Sequence, residues 1–121
     1  MKPLHVLVND DEPALRHLVA LILEGAGHTV FESNDREQTL AFLHGHTEID
    51  LLVTDLQGSG GAQIVEEVRE ALSPKFPIIM MSGTFTSDTD PGLYKVDGIL
   101  AKPFSGEHLL EAVRSVMSQV T

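Results

Sequence analysis

The 121-residue chain contains no cysteine. This excludes a disulfide framework and any thiolate metal site, and it fits a reducing compartment. Positive charge is scarce. Eight Lys and Arg stand against 18 Asp and Glu, for a formal net charge of −10. Such a surplus repels phosphate backbones and anionic lipid, so non-specific nucleic-acid binding and membrane-surface docking are disfavoured. No apolar run approaches the roughly 18 residues that a membrane span requires, and nothing like a secretory leader precedes the strand-like run that starts at Leu4. Internal repeats, low-complexity tracts and linkers are missing too. The expectation is a single domain, residues 1–121, cytoplasmic and globular, with 42% hydrophobic residues to fill one core.

The apolar residues that are present fall into alternating strand and helix patterns. Leu4 to Val8 is a short apolar run that ends at Asn9-Asp10-Asp11-Glu12. Pro13 follows, suited to a first helical turn, and Leu15, Leu18, Val19, Ile22 and Leu23 recur at helical spacing until Gly25 and Gly27. Thr29-Val30-Phe31 reads as a second strand. Residues 35–44 read as a weaker helix, capped by Asp35 or Asn34, with Leu40 and Leu43 inward. Ile49 to Thr54 is apolar without alternation, which predicts cover on both faces.

Gly58-Ser59-Gly60-Gly61 forms a loop, and Ile64, Val65, Val68, Ala71 and Leu72 mark a helix that stops before Pro74. Ile78 to Met81 is a fourth strand ending at Ser82-Gly83. Residues 84–92 are poor helix formers, and at most a short or frayed helix is expected there. Val96 to Ala101 holds a fifth strand. Ser105 caps a last helix with a stripe of Leu109, Val113, Val116 and Val120. Five β-α repeats predict an α/β fold: a parallel sheet with right-handed crossovers and helices on both faces. The first and fourth strands suit central places, and the second suits an edge.

In an open parallel sheet, ligands bind beyond the carboxyl ends of the strands. Those ends carry Asp10 and Asp11, then Asp55, Ser82 and Lys102. Taken singly, each has an ordinary reading: Asp as a cap or turn former, Ser as a turn residue, Lys as a surface lysine. Together they place three carboxylates, a hydroxyl and an ammonium on one edge. Like charges so close raise one another's pKa. A hard divalent cation relieves this, and oxygen-only ligands favour Mg²⁺ over zinc. An ion plus a lysine supplies what phosphoryl transfer needs, with Asp55 as the accepting carboxylate and Ser82 and Lys102 as partners for phosphoryl oxygens.

Four blocks carry a resemblance to a known family: Val6-Leu7-Val8-Asn9-Asp10-Asp11-Glu12-Pro13, Asp50-Leu51-Leu52-Val53-Thr54-Asp55, Pro77-Ile78-Ile79-Met80-Met81-Ser82-Gly83 and Leu100-Ala101-Lys102-Pro103-Phe104. Across essentially the whole chain the sequence resembles response-regulator receiver domains of two-component signalling, whether stand-alone or of the hybrid sensor kinase type. The resemblance implies a flavodoxin-like (βα)5 sandwich of strand order 2-1-3-4-5. It implies phosphorylation of Asp55 by a sensor histidine kinase or histidine phosphotransfer protein. It also implies Mg²⁺ held by Asp11, Asp55 and the backbone carbonyl of Gln57, with Asp10 helping through water. Ser82 and Lys102 would contact the phosphoryl group, and the Lys102–Pro103 peptide would be cis. The expected product is a switch that acts on an unknown downstream protein, as a monomer or weak dimer, with no enzymatic turnover beyond slow self-dephosphorylation.

The chain departs from the family at three places. Gly58 and Ser59 stand where receivers usually carry Met-Pro, in a loop about two residues short, and a Gly-rich loop is expected to be more mobile. Ile99 replaces the frequent Tyr or Phe that acts as a rotameric switch. Residues 84–92 match the family's helix there poorly. These departures motivate a rival reading, a pseudo-receiver that binds proteins without a phosphorylation switch. A small Asp-nucleophile phosphohydrolase is a third reading, disfavoured because the sequence offers no separate general acid. His44-Gly45-His46 has chelating spacing, but two ligands do not make a site, and a solvated loop is expected. His5 is expected to be a packed or edge histidine.

Overall fold

The computed structural model describes residues 2–120. Strands β1 (His5–Asn9), β2 (Thr29–Ser33), β3 (Leu51–Asp55), β4 (Ile78–Ser82) and β5 (Gly98–Ala101) form one sheet in the order β2-β1-β3-β4-β5. Every pairing is parallel. Helices α1 (Pro13–Gly25), α2 (Arg36–Gly45), α3 (Gly61–Glu67) and α4 (Gly106–Ser118) complete a flavodoxin-like α/β sandwich. The first and fourth strands flank the centre and β2 is an edge, as the apolar runs predict.

Alternation along each strand divides the core in two. Val6, Val8, Leu51, Val53, Ile79, Met81 and Leu100 face α1 and α4, meeting Val19, Leu23, Leu109, Val113 and Val116. Leu7, Leu52, Ile78 and Met80 face the other way, meeting Leu43 of α2 and Ile64, Val65 and Val68. All five residues of β3 are buried, as expected for a strand covered on both sides. The caps are also as read. Asp35 accepts from the Gln38 amide at 2.8 Å, and Ser105 Oγ accepts from the His108 amide at 3.1 Å. Gly98 lets α4 lie close to β5: a Cβ there would fall 2.7 Å from Val116 Cγ2. The Lys102–Pro103 peptide is cis.

Several expectations need correction. Leu18 is 52% exposed, because the buried stripe of α1 runs through Val19, Ala20 and Leu23 and leaves Leu18 to one side. Val120 is 49% exposed, since α4 ends at Ser118 before the stripe reaches it. Ala71 is exposed because α3 passes directly into a π-helical stretch, Val68–Leu72, whose wider turn rotates the helix face.

No α-helix lies between β4 and β5 among the described residues; a 3₁₀ turn, Pro91–Tyr94, is the regular piece there. Local side-chain bonds displace the helix. Thr89 Oγ1 accepts from the Thr86 amide at 2.9 Å, Thr86 Oγ1 from the Asp88 amide at 3.2 Å, and Asp90 Oδ1 from the Gly92 amide at 2.9 Å. Hydroxyls and carboxylates that capture nearby amides stabilise turns against helix. Buried Phe85, packed on Tyr94 with ring centroids 5.1 Å apart, takes over part of the sheet's cover. Arg69 pins the segment's far end by donating to the Lys95 and Phe76 carbonyls and to Asp97.

Candidate functional site

The carboxyl ends of β1, β3 and β5 open on one cleft. Asp55 is the last residue of β3, Asp10 and Asp11 directly follow β1, and Lys102 directly follows β5. The Lys102 ammonium donates to Asp55 Oδ1 at 2.8 Å and to Asp10 Oδ2 at 3.1 Å. Asp10 is fully buried and Asp55 nearly so, while Asp11 is exposed at the rim. Asp10 is oriented further by the Glu12 amide, which donates to its Oδ1 at 2.9 Å. One carboxylate oxygen from each of Asp10, Asp11 and Asp55 lies within 4.8 Å of the others, the one group of metal-competent side chains among the described residues.

The electrostatics of the cleft point one way. Burial, the largest influence, pushes the Asp55 carboxyl above its usual value; the hydrogen bond from Lys102 opposes this, and the charges on Asp10 and Asp11 add to it. Burial alone would lower Lys102, but its bonds to Asp55 and Asp10 outweigh that and raise it. Three carboxylates stand against one ammonium there, leaving a surplus of negative charge that adds to burial at Asp55 and favours the charged form of Lys102. A hard cation with oxygen ligands would answer the same surplus, and the donor set fits Mg²⁺ rather than a softer metal.

The sequence profile of the response regulator receiver domain matches residues 6–114. The chain belongs to that family. Among curated relatives, the phosphate regulon transcriptional regulatory protein PhoB of Pseudomonas aeruginosa is 29% identical over 117 residues, covering 93% of this chain and 51% of PhoB. The chain thus spans about half the length of that relative. Among solved structures, the chemotaxis response regulator CheY4 of Vibrio cholerae superposes with a TM-score of 0.81 at 28% identity, over 95% of this chain and 99% of CheY4. The receiver domain of the sensor histidine kinase PA1611 of P. aeruginosa PAO1, solved with magnesium coordinated in its active-site cleft, shares the fold. Its TM-score is 0.84 at 18% identity, covering 97% of this chain and 99% of that one.

The other predicted site residues of this receiver domain lie beside the cleft. Ser82, the buried last residue of β4, turns its hydroxyl to Thr84, with Oγ 2.8 Å from Thr84 Oγ1 and accepting from the Thr84 amide at 3.1 Å. Its carbonyl accepts from the Lys102 amide at 2.9 Å, which ties β4 to the residue that spans the cleft. Gln57 is exposed in the bend after β3. Ile99 packs half-buried on the α2–α3 side of the sheet. The histidine pair does not form a metal centre: His46 stacks on Phe42 at 3.8 Å and bonds to its carbonyl through Nδ1. His5, half-exposed at the start of β1, lies 3.7 Å from Asp50.

Sequence reasoning missed a buried polar chain next to the cleft. Asn9 donates from Nδ2 to Thr54 Oγ1 at 3.0 Å and to Ser59 Oγ at 3.1 Å. Its Oδ1 accepts from Ser33 Oγ at 3.4 Å, and Ser33 lies 2.7 Å from Thr39 Oγ1. The signal was available: Asn9 is a carboxamide that follows the apolar run Val6-Leu7-Val8, and such a group must find partners when buried. The loop after β3 is accordingly anchored. Ser59, the one side chain of the glycine-rich run, is only 2% exposed.

Proposed function

We propose that this receiver domain accepts a phosphoryl group on Asp55 from the phosphohistidine of a sensor histidine kinase or histidine phosphotransfer protein. The observation that carries this is the Lys102 ammonium joining Asp55 and Asp10, with Asp11 beside them, at the carboxyl edge of the sheet. In the transfer, an Asp55 carboxylate oxygen forms the new P–O bond as the P–N bond breaks. The donor imidazole leaves with the electron pair and takes up a proton. Lys102 then pairs with a phosphoryl oxygen, and Ser82 turns its hydroxyl from Thr84 toward another. Asp10, Asp11, Asp55 and the Gln57 carbonyl are the residues that would hold Mg²⁺. When bound, the ion supplies charge compensation for the phosphoryl oxygens. Magnesium in the cleft of the PA1611 receiver domain agrees with this reading.

The product is a signalling state rather than a turnover product. Phosphorylation alters a protein-binding face read by a downstream partner, and at most slow hydrolysis of the acyl phosphate returns the domain to rest. The net charge of −10 favours a protein over nucleic acid as that partner. The reading includes one receiver domain over residues 1–121, acting in the cytoplasm as a monomer or weak dimer. Ile99 and the absent helix before β5 favour a second reading, a pseudo-receiver that binds its partner without phosphorylation.

Intact-mass spectrometry with acetyl phosphate and Mg²⁺ separates the two. The wild-type chain should gain one phosphoryl group that requires Mg²⁺, and Asp55→Asn should gain none. A wild-type chain that stays unmodified with phosphorylated kinase as well would favour the pseudo-receiver.

A further inference from the structure

We propose that Asn9 and Ser59 form a positioning pair that presses the β3–α3 loop onto the cation side of the cleft; this rests on the metal-cleft reading above. Ser59 lies between two glycines in the left-handed region, Gly58 at φ 82° and Gly60 at φ 78°. That backbone turns the one side chain of the glycine run inward, where its hydroxyl meets the Asn9 carboxamide at 3.1 Å. Asn9 is well placed to hold it. In the sheet register Asn9 stands between Ser33 of β2 and Thr54 of β3, and its carboxamide bonds both of those hydroxyls. One N–H reaches Thr54 and the other points out of the strand end at Ser59. The carboxamide is fully buried and two of its three bonds go to neighbouring strands, so its orientation is set chiefly by the sheet.

The loop touches the acids on both sides of this tether. A Cβ on Gly58 would lie 2.8 Å from Asp11 Cγ and closer still to Oδ2, so the bare Cα is packed against that carboxylate. A Cβ on Gly61 would collide with the Asp55 carbonyl oxygen. Ser59 therefore sits between the two contacts and holds Gly58 against the exposed rim acid. Gln57 is the next residue toward β3. Loss of the tether frees Gly58 to move away from Asp11 and lets Gln57 move with it, while Asp10, Asp55 and Lys102 remain fixed by their strands. The pair thus supplies the rigidity that Pro in place of Ser59 would bring, and supplies it to the rim rather than to the buried acids.

Two measurements on the purified chain test this. The first is amide hydrogen exchange without metal, and the second is titration with Mn²⁺ followed by its electron-spin signal. Ser59→Ala and Asn9→Val should each speed exchange at residues 57–60 about tenfold while leaving β4 unchanged. Each should also weaken Mn²⁺ binding about tenfold, as losing a group that positions a metal ligand does, and the double variant should be no worse than the weaker single. Thr39→Val, which cuts the far end of the same polar chain, should leave loop exchange and Mn²⁺ affinity at the wild-type level even if it lowers stability. Unchanged loop exchange in Ser59→Ala, or a loss spread evenly over all strands, overturns the proposal. If the wild-type chain takes up no Mn²⁺, the metal-cleft reading fails, and the exchange comparison alone decides whether the tether exists.

Discussion

The two faces of the sheet are built to different standards. One is covered by α1 and α4, helices of 13 residues each, which meet the strands through Val19, Leu23, Leu109, Val113 and Val116. The other is covered by pieces: α2, a seven-residue α3 that slackens into a π-helical stretch, and an irregular segment with Phe85 and Tyr94 laid across β4 and β5. The cleft is indifferent to this difference. Its acids and its lysine sit at or just after strand ends, so their positions follow from sheet register rather than from the cover. Chemistry anchored on strands can persist while one face is rebuilt, and in this chain the rebuilt part includes Leu93, 78% exposed on the 3₁₀ turn.

The sharpest way to break this comparison is to cut into both covers. Leu23→Ala, at a fully buried position on the inner face of α1, should cost about 2–5 kcal/mol of unfolding free energy in urea. A loss as small as that of a surface substitution would show that the regular face is not the better-packed one. Arg69→Ala should cost less, about 1 kcal/mol, because it removes the donor to the Lys95 and Phe76 carbonyls at a partly solvated site while Asp97 keeps its bond from the Ile78 amide. Hydrogen exchange should rise over residues 84–97 and stay constant in α1 and α4. Equal loosening of both faces would mean that the irregular segment is no separate unit.

The smallest effect concerns pH, and it bears on the regular side. His28, between α1 and β2, is buried, and its Nδ1 accepts from the Leu4 amide at 3.0 Å. Burial holds its pKa below the ordinary value of 6.5. As pH falls through that ordinary value the unfolded chain takes up the proton first, so stability present above it is lost toward the lower folded pKa. The drop in melting temperature between about pH 7.5 and about pH 5.5 should therefore be greater for wild type than for His28→Gln. Equal drops would assign the acid sensitivity to other groups.

Much of this was legible in advance, and the reasons are local. Uninterrupted apolar runs mark β3 and β4 because both faces are covered, and Asp35 and Ser105 announce their helices because their side chains can accept from the third amide onward. Asp10, Asp55 and Lys102 could be grouped before any coordinates because parallel strands deliver their carboxyl ends to one edge. Three features were out of reach. The π-helical stretch depends on one extra backbone residue, and periodicity does not separate it from α-helix. The loss of a helix at residues 84–92 was foreshadowed by propensity, but not the inward docking of Phe85. The Asn9–Ser59 contact joins residues 50 positions apart, and only the assembled sheet brings them together.

Lys102 meets Asp10 across 92 residues and Asp55 across 47. In the order of synthesis, the counter-charge is the last part of the cleft to be made. Any folding species that pairs β1 with β3 before β5 docks carries three clustered carboxylates with no ammonium among them. Within the chain, the ammonium that answers their repulsion reaches them once the fifth strand has docked. The residue that ties the finished cleft together therefore does so through contacts of high sequence separation, the kind whose loop closure is costly to make.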